Sequence, residues 1–195
     1  MNNRILGSLA LAGAPFFMLS SFLQPYFSFM HEQQFYGAWG VIYLGAWMCS
    51  IRGLQRLKAT GKSLFGKAIL WIMLAALLLA ALSNVYKIIE PGTTSPLFFM
   101  LDAFWPLSNL AMLVVGITVA VARQLTGWRR FVPLVAGLWF PVLVVCMNLF
   151  GRAGITGTIA GVYSAVAWSL LAFMVLTTKE EAVLVYESSP AYTLS

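Results

Sequence analysis

Six long apolar stretches separated by short gaps constrain the fold of this 195-residue chain more than any other feature. They cover residues 5–25, 35–54, 67–88, 97–121, 131–150 and 154–177. Each is close to the roughly 20 residues that a helix needs to cross about 30 Å of hydrocarbon. We therefore predict an all-α, polytopic integral membrane protein whose six transmembrane helices form one bundle over residues 1–178. Residues 179–195 are expected to form a cytoplasmic C-terminal tail.

The composition excludes an ordinary soluble domain. The chain is 61% hydrophobic and only 9% charged, whereas about 25% of the residues of a typical soluble domain are charged. The gaps between the apolar stretches are too short to fold alone, so we expect one domain embedded in the lipid bilayer.

Positive charges predict how the chain is oriented. Ten of the twelve Lys and Arg residues lie in alternate gaps or at the chain ends. These ten are Arg4, Arg52, Arg56, Lys58, Lys62, Lys67, Arg123, Arg129, Arg130 and Lys179. The positive-inside rule places them, and both termini, in the cytoplasm. The short outer gaps and the lack of any Asn-x-Ser/Thr acceptor favour a bacterial inner membrane.

The chain lacks the residues that several classes of function need. The basic residues form short clusters beside predicted membrane helices, which suits anionic lipid, and we expect no nucleic-acid partner. Cys49 and Cys146 are predicted near opposite faces of the bilayer, too far apart for a disulfide. His31 is the single histidine. We predict no metal, no cofactor and no assignable catalytic residue.

Small residues recur every four positions in the last apolar stretch. They are Gly157, Gly161, Ala165 and Ser169. Such a ladder lets another helix approach closely in lipid. The contact is predicted within the chain, with a partner subunit or a homo-oligomer as the alternative.

A few polar residues stand out inside the outer halves of the predicted helices. Asp102, Trp105 and Asn109 share one face of a helix by their spacing of three and seven residues. Asn84 and Lys87 share a face of the preceding helix, and Lys87 is a plausible ion-pair partner for Asp102. An ionisable residue in a membrane helix is a candidate functional residue.

Two interpretations of these polar residues stay open. In the first, they line a cavity that opens outward, with Trp105 as a wall. In the second, they join the third and fourth helices through hydrogen bonds that each contribute about 0.6 kcal/mol. Trp105, Trp139 and Trp168 lie deep in their stretches, either as core residues or as pocket walls.

Three functions follow from these interpretations. The first is binding or transport of a small molecule or ion. In size, span count, inward termini and an outer ligand site, the chain resembles the substrate-capturing subunits of energy-coupling-factor vitamin transporters. Ala10 and Ala14 match the small-residue face with which such subunits dock; the resemblance is architectural and includes no ligand motif. The alternatives are a non-catalytic structural or regulatory subunit of a larger complex, and a membrane enzyme acting on a lipid or quinone.

Overall fold

The structure is a computed structural model that describes residues 2–152 and 154–178. Over these residues it consists of nine α-helices with short turns and has no β-strand. The helices are α1 Asn3–Gly13, α2 Phe16–Leu23, α3 Gln33–Arg56, α4 Leu64–Ile89, α5 Pro96–Asp102, α6 Phe104–Ala122, α7 Val132–Gly137, α8 Trp139–Phe150 and α9 Gly154–Thr177. The predicted tail at 179–195 lies outside the described residues.

Several of the helices are long and apolar enough to cross a membrane. Four candidate spans are Asn3–Leu23, Leu64–Ile89, Pro96–Ala122 and Gly154–Thr177. A fifth is the pair Gly127–Gly137 and Trp139–Phe150, which is bent by 46°. The chain is therefore an all-helical integral membrane protein with four or five candidate spans. Helix α3 covers the predicted second span but is not among these candidates. Its glycines, tyrosines and tryptophans lower its mean hydropathy.

Prolines explain why two of the predicted helices are broken. A proline has no N–H to donate to the carbonyl four residues earlier, and its ring clashes with that carbonyl. Pro106 therefore frees the carbonyl of Asp102, where α5 ends, and Pro141 frees that of Gly137, where α7 ends. Asp102 therefore lies at the interruption between α5 and α6 in the fourth apolar stretch.

The helices pack as a closed ring in chain order. Helix α3 packs most extensively on α4, α4 packs on α6, and α6 packs on α7. Helices α7 and α8 both contact α9, and α9 closes the ring by packing along α1 and α2. Trp47 and Trp168 meet inside the ring with their ring centroids 4.0 Å apart.

The two ends of the bundle differ in charge. At one end, called the basic end below, the connector at 57–63 lies beside the end of α6, where Gly61 faces Ala122. At the opposite end, the Gly92 N–H donates a hydrogen bond to Gln33 Oε1 at 2.6 Å, which joins the α4–α5 connector to the start of α3.

Glycines mark the closest approaches between helices. A Cβ at Gly116 would meet the backbone of Leu134, and one at Gly137 would meet the backbone of Leu113, so α6 and α7 interlock. Gly7 lies equally close to Leu176, at the contact of α1 with α9.

The predicted small-residue ladder occupies a more open part of α9. Gly157 is exposed, and nothing lies within 4 Å of an added Cβ. Gly161 is buried at ordinary contact distance from Met18 of α2. Ala165 is buried and Ser169 is half-buried.

Replacing Gly116 with Ala should destabilise the bundle, because the added methyl group would meet the Leu134 backbone. We expect a loss of about 1–3 kcal/mol, the usual cost of overpacking, measured as a lower Tm in detergent. Gly157→Ala is the matched control, since its added methyl group meets nothing and Ala favours a helix over Gly by roughly 0.5–1 kcal/mol. Equal losses in the two variants would contradict this packing.

Candidate ligand-binding cavity

A cavity of about 280 Å³ lies at the end of the bundle opposite the basic end. It is enclosed by α2, α3, α4 and the break between α5 and α6. Its apolar wall consists of Phe16, Phe17, Tyr36, Trp39, Tyr43, Leu44 and Trp105. Its polar lining consists of Ser20, Asn84, Lys87 and Asp102, and Gly40 completes the surface. The volume is close to the lower end of the ~300–1,000 Å³ typical of small-molecule sites.

An ion pair forms one side of the cavity. Lys87 Nζ lies 3.2 Å from Asp102 Oδ1, and Ser83 Oγ donates to the same oxygen at 3.2 Å. Lys87 Nζ also lies 5.3 Å from the centroid of the Phe98 ring. The side chains of Lys87 and Asp102 are 22% and 46% exposed, respectively. Within the described residues no hydrogen bond reaches Asp102 Oδ2, so this oxygen can accept a hydrogen bond from a ligand.

The Asn84 side chain reaches the cavity because Gly40 has no side chain to block it. A Cβ on Gly40 would collide with Asn84 Oδ1, and one on Gly37 would meet the Asn84 carbonyl oxygen. The two glycines therefore let α3 and α4 approach at this level. Asn84 Nδ2 donates to Ala80 O, one turn back along its own helix, at 3.0 Å.

The aromatic wall is held by contacts with the rest of the bundle. Phe16 and Trp39 have ring centroids 4.7 Å apart, and Phe17 and Tyr43 have centroids 5.7 Å apart. The hydroxyl groups of Tyr43 and Ser164 are hydrogen-bonded at 3.0 Å across to α9. These contacts fix the shape of the cavity before any ligand enters it.

The three deep tryptophans have different positions. Trp139 and Trp168 are buried in the core, and Trp139 Nε1 donates to Ala160 O at 2.8 Å. Trp105 is half-buried and lines the cavity, with its ring centroid 5.6 Å from that of Trp139.

Four of the five candidate ligand-binding residues lie together. Asn84, Lys87, Asp102 and Trp105 all line the cavity. Asn109 does not, because it is buried and its Nδ2 donates to Trp105 O at 2.9 Å within its own helix.

Sequence analysis missed the contribution of α2 and α3. The aromatic wall residues of α3 are Tyr36, Trp39 and Tyr43, which are spaced three and four residues apart and so share one helical face. That spacing was a usable signal. Phe16 and Phe17 carried no comparable signal, since they lie in an apolar stretch that is rich in Phe and Leu.

The cavity offers two kinds of contact. The aromatic wall can pack against an apolar or cationic group, and the ion pair can bind a polar one. In the described part of the chain, no three His, Cys, Asp or Glu side chains are grouped to hold a metal ion. A small molecule with both an apolar and a polar part fits this lining.

Comparison of the chain with protein-family models, curated proteins and solved structures gave no match. The assignment of function therefore depends on the geometry of the cavity and on the charge distribution.

The ion pair should contribute little to stability, because both of its side chains are partly exposed. We expect a double-mutant cycle of Lys87→Gln and Asp102→Asn to give a coupling energy of about 0.2–1 kcal/mol in the unfolding free energy. A cycle of Asp102→Asn with Arg123→Gln, which removes an exposed base at the basic end, should give a value near zero. A coupling of about 3 kcal/mol, the upper end of the interaction energies that such cycles give for residues in contact, would show that the pair mainly joins the helices.

Proposed function

We propose that this protein spans the bacterial inner membrane six times, with both termini in the cytoplasm, and that it binds or transports a small molecule or ion. In this proposal the cavity between α2 and α6 opens to the outside. The observation that carries the proposal is the aromatic cavity whose edge holds an ion pair with a carboxylate oxygen left for a ligand.

The packing supports six spans. Helix α3 has 24 residues and so is ~36 Å long at 1.5 Å per residue, enough to cross the hydrocarbon layer. It packs between α1 and α4, which both belong to candidate spans. The length of α3 and its packing between two candidate spans support α3 as a further span.

The charge distribution supports the orientation. Eight of the eleven basic residues of the described chain lie in the connectors at 57–63 and 123–131 or within five residues of them, and the two connectors lie at the same end. The acids of the described chain, Glu32, Glu90 and Asp102, lie toward the other end. By the positive-inside rule the basic end is cytoplasmic and the cavity lies in the outer half.

Cysteine labelling tests this orientation. In a chain whose Cys49 and Cys146 are replaced by Ala, Thr94→Cys should react in intact cells with a maleimide that cannot cross the membrane. Thr126→Cys, an equally exposed position at the basic end, should react only after the membrane is permeabilised. The reverse pattern would contradict the proposed orientation.

Ligand binding is tested by a thermal-shift screen of small metabolites and ions against the purified protein. A true ligand should raise the Tm in a saturable way, and Asp102→Asn or Trp105→Ala should weaken its binding about tenfold or more, since one hydrogen bond to a charged group contributes about 1.5–3 kcal/mol.

Two control variants accompany the screen. Glu90→Gln removes an exposed acid at the same end of the bundle, and Trp128→Ala removes an exposed tryptophan at the basic end. Both should bind like the wild type. If no compound gives a saturable shift, or if all four variants weaken binding equally, the proposed site is wrong.

The role of a structural or regulatory subunit is supported less well. Asn84 and Asn109 donate their amide hydrogen bonds within their own helices and do not join neighbouring helices. One observation favours that role: the exposed Gly157 face of α9 leaves room for another helix.

A further inference from the structure

A second cavity, of about 430 Å³, lies at the basic end. It is formed by the end of α3, the connector at 57–63 and the first two turns of α4. We call it the basic pocket. Four cationic side chains line it, namely Arg52, Lys58, Lys62 and Lys67.

The remaining lining residues carry no charge. They are Gln55, Thr60, Gly61, Leu70 and Trp71. The described acids, Glu32, Glu90 and Asp102, belong to the start of α3, the end of α4 and the end of α5, away from this cavity. Arg52, Lys58 and Lys67 place three positive charges around one concave surface, and such a surface attracts anions.

The connector that carries two of these lysines has a fixed backbone. Leu57 and Ala59 are fully buried. Thr60 Oγ1 donates to Gly66 O at 2.7 Å, and Ala59 N donates to Leu54 O at 3.0 Å. The backbone of the connector is therefore already ordered at Lys58 and Lys62, beside the pocket. Less conformational entropy is then lost when a ligand binds.

Trp71 indicates the depth of the pocket in the membrane. Its side chain is 60% exposed, and the Arg52 guanidinium carbon lies 5.5 Å from its ring centroid. Exposed tryptophans of membrane proteins concentrate at the level of the lipid headgroups. At that level the anions present in excess are phosphates of anionic phospholipids.

We propose that the basic pocket binds a phosphate group, supplied by the headgroup of an anionic phospholipid in the cytoplasmic leaflet. Lys58 and Lys67 neutralise the phosphate charge, and Arg52 is held by Gln55, whose Oε1 accepts from Arg52 Nη1 at 2.6 Å. The guanidinium keeps further N–H groups to donate to phosphate oxygens. This site is separate from the cavity at the other end of the bundle and does not depend on its function.

Lipid titration of the purified protein tests the proposal. Phosphatidylglycerol and phosphatidylcholine are titrated separately in detergent, and binding is followed by thermal unfolding and by native mass spectrometry. We expect saturable binding of phosphatidylglycerol and much weaker binding of phosphatidylcholine. Lys58→Gln combined with Lys67→Gln should weaken phosphatidylglycerol binding about thirtyfold, since each basic residue near a lipid surface contributes about a fivefold gain.

The control removes the same charge elsewhere at the same end. Arg129→Gln combined with Arg130→Gln leaves the pocket lining intact, so its affinity should stay within about threefold of the wild type. Without lipid, the lysine variant should unfold at the wild-type Tm, because both lysines are exposed. Equal binding of the two lipids, or equal weakening by the two double variants, would overturn the proposal.

A third titration distinguishes the sources of the phosphate. Inorganic phosphate that binds and displaces phosphatidylglycerol would support a site for the phosphate group alone, open to soluble phosphates. If phosphatidylglycerol binds but millimolar inorganic phosphate does not displace it, the pocket recognises the phosphate as part of a lipid.

Discussion

Close contact between helix backbones determines where every side chain around the cavity lies. Lipid offers no hydrophobic drive for helices to associate, so the bundle depends on van der Waals packing at small residues. Gly37 and Gly40 bring α3 against α4 at Asn84, and Gly116 and Gly137 interlock α6 with α7. Larger residues at these positions would push the helices apart, and the cavity between them would lose its shape.

The charged edge of the cavity depends on a local break in a helix. Pro106 ends α5 at Asp102 by removing a hydrogen-bond donor. An unpaired Asp at the bilayer centre would cost roughly 2.5–3.5 kcal/mol on insertion scales. Here the carboxylate is partly exposed and has Lys87 and Ser83 as partners. A charge held in this way is available to a ligand at a lower cost than one buried in the core.

The sequence predicted features that depend on local pattern. Helical structure and membrane character follow from apolar length, and the pairing of Lys87 with Asp102 was proposed because a short connector makes α4 and the next helix neighbours. The part of the wall formed by Phe16 and Phe17 could not be predicted, since their contacts with residues of α3 and α8 join distant parts of the chain. Helical spacing predicts which face of a helix Asn109 occupies, and for that reason Asn109 is among the predicted ligand-binding residues. Spacing does not predict which acceptor the Asn109 amide donates to.

An experimental structure of the protein extracted from its native membrane into lipid nanodiscs tests the central claim most directly. The account predicts density not explained by protein between Trp39, Trp105 and Asp102, with a polar part of the bound molecule within hydrogen-bond distance of the Asp102 carboxylate. A collapsed cavity with Trp105 packed against Trp39, or one filled only by a lipid acyl chain, would contradict it.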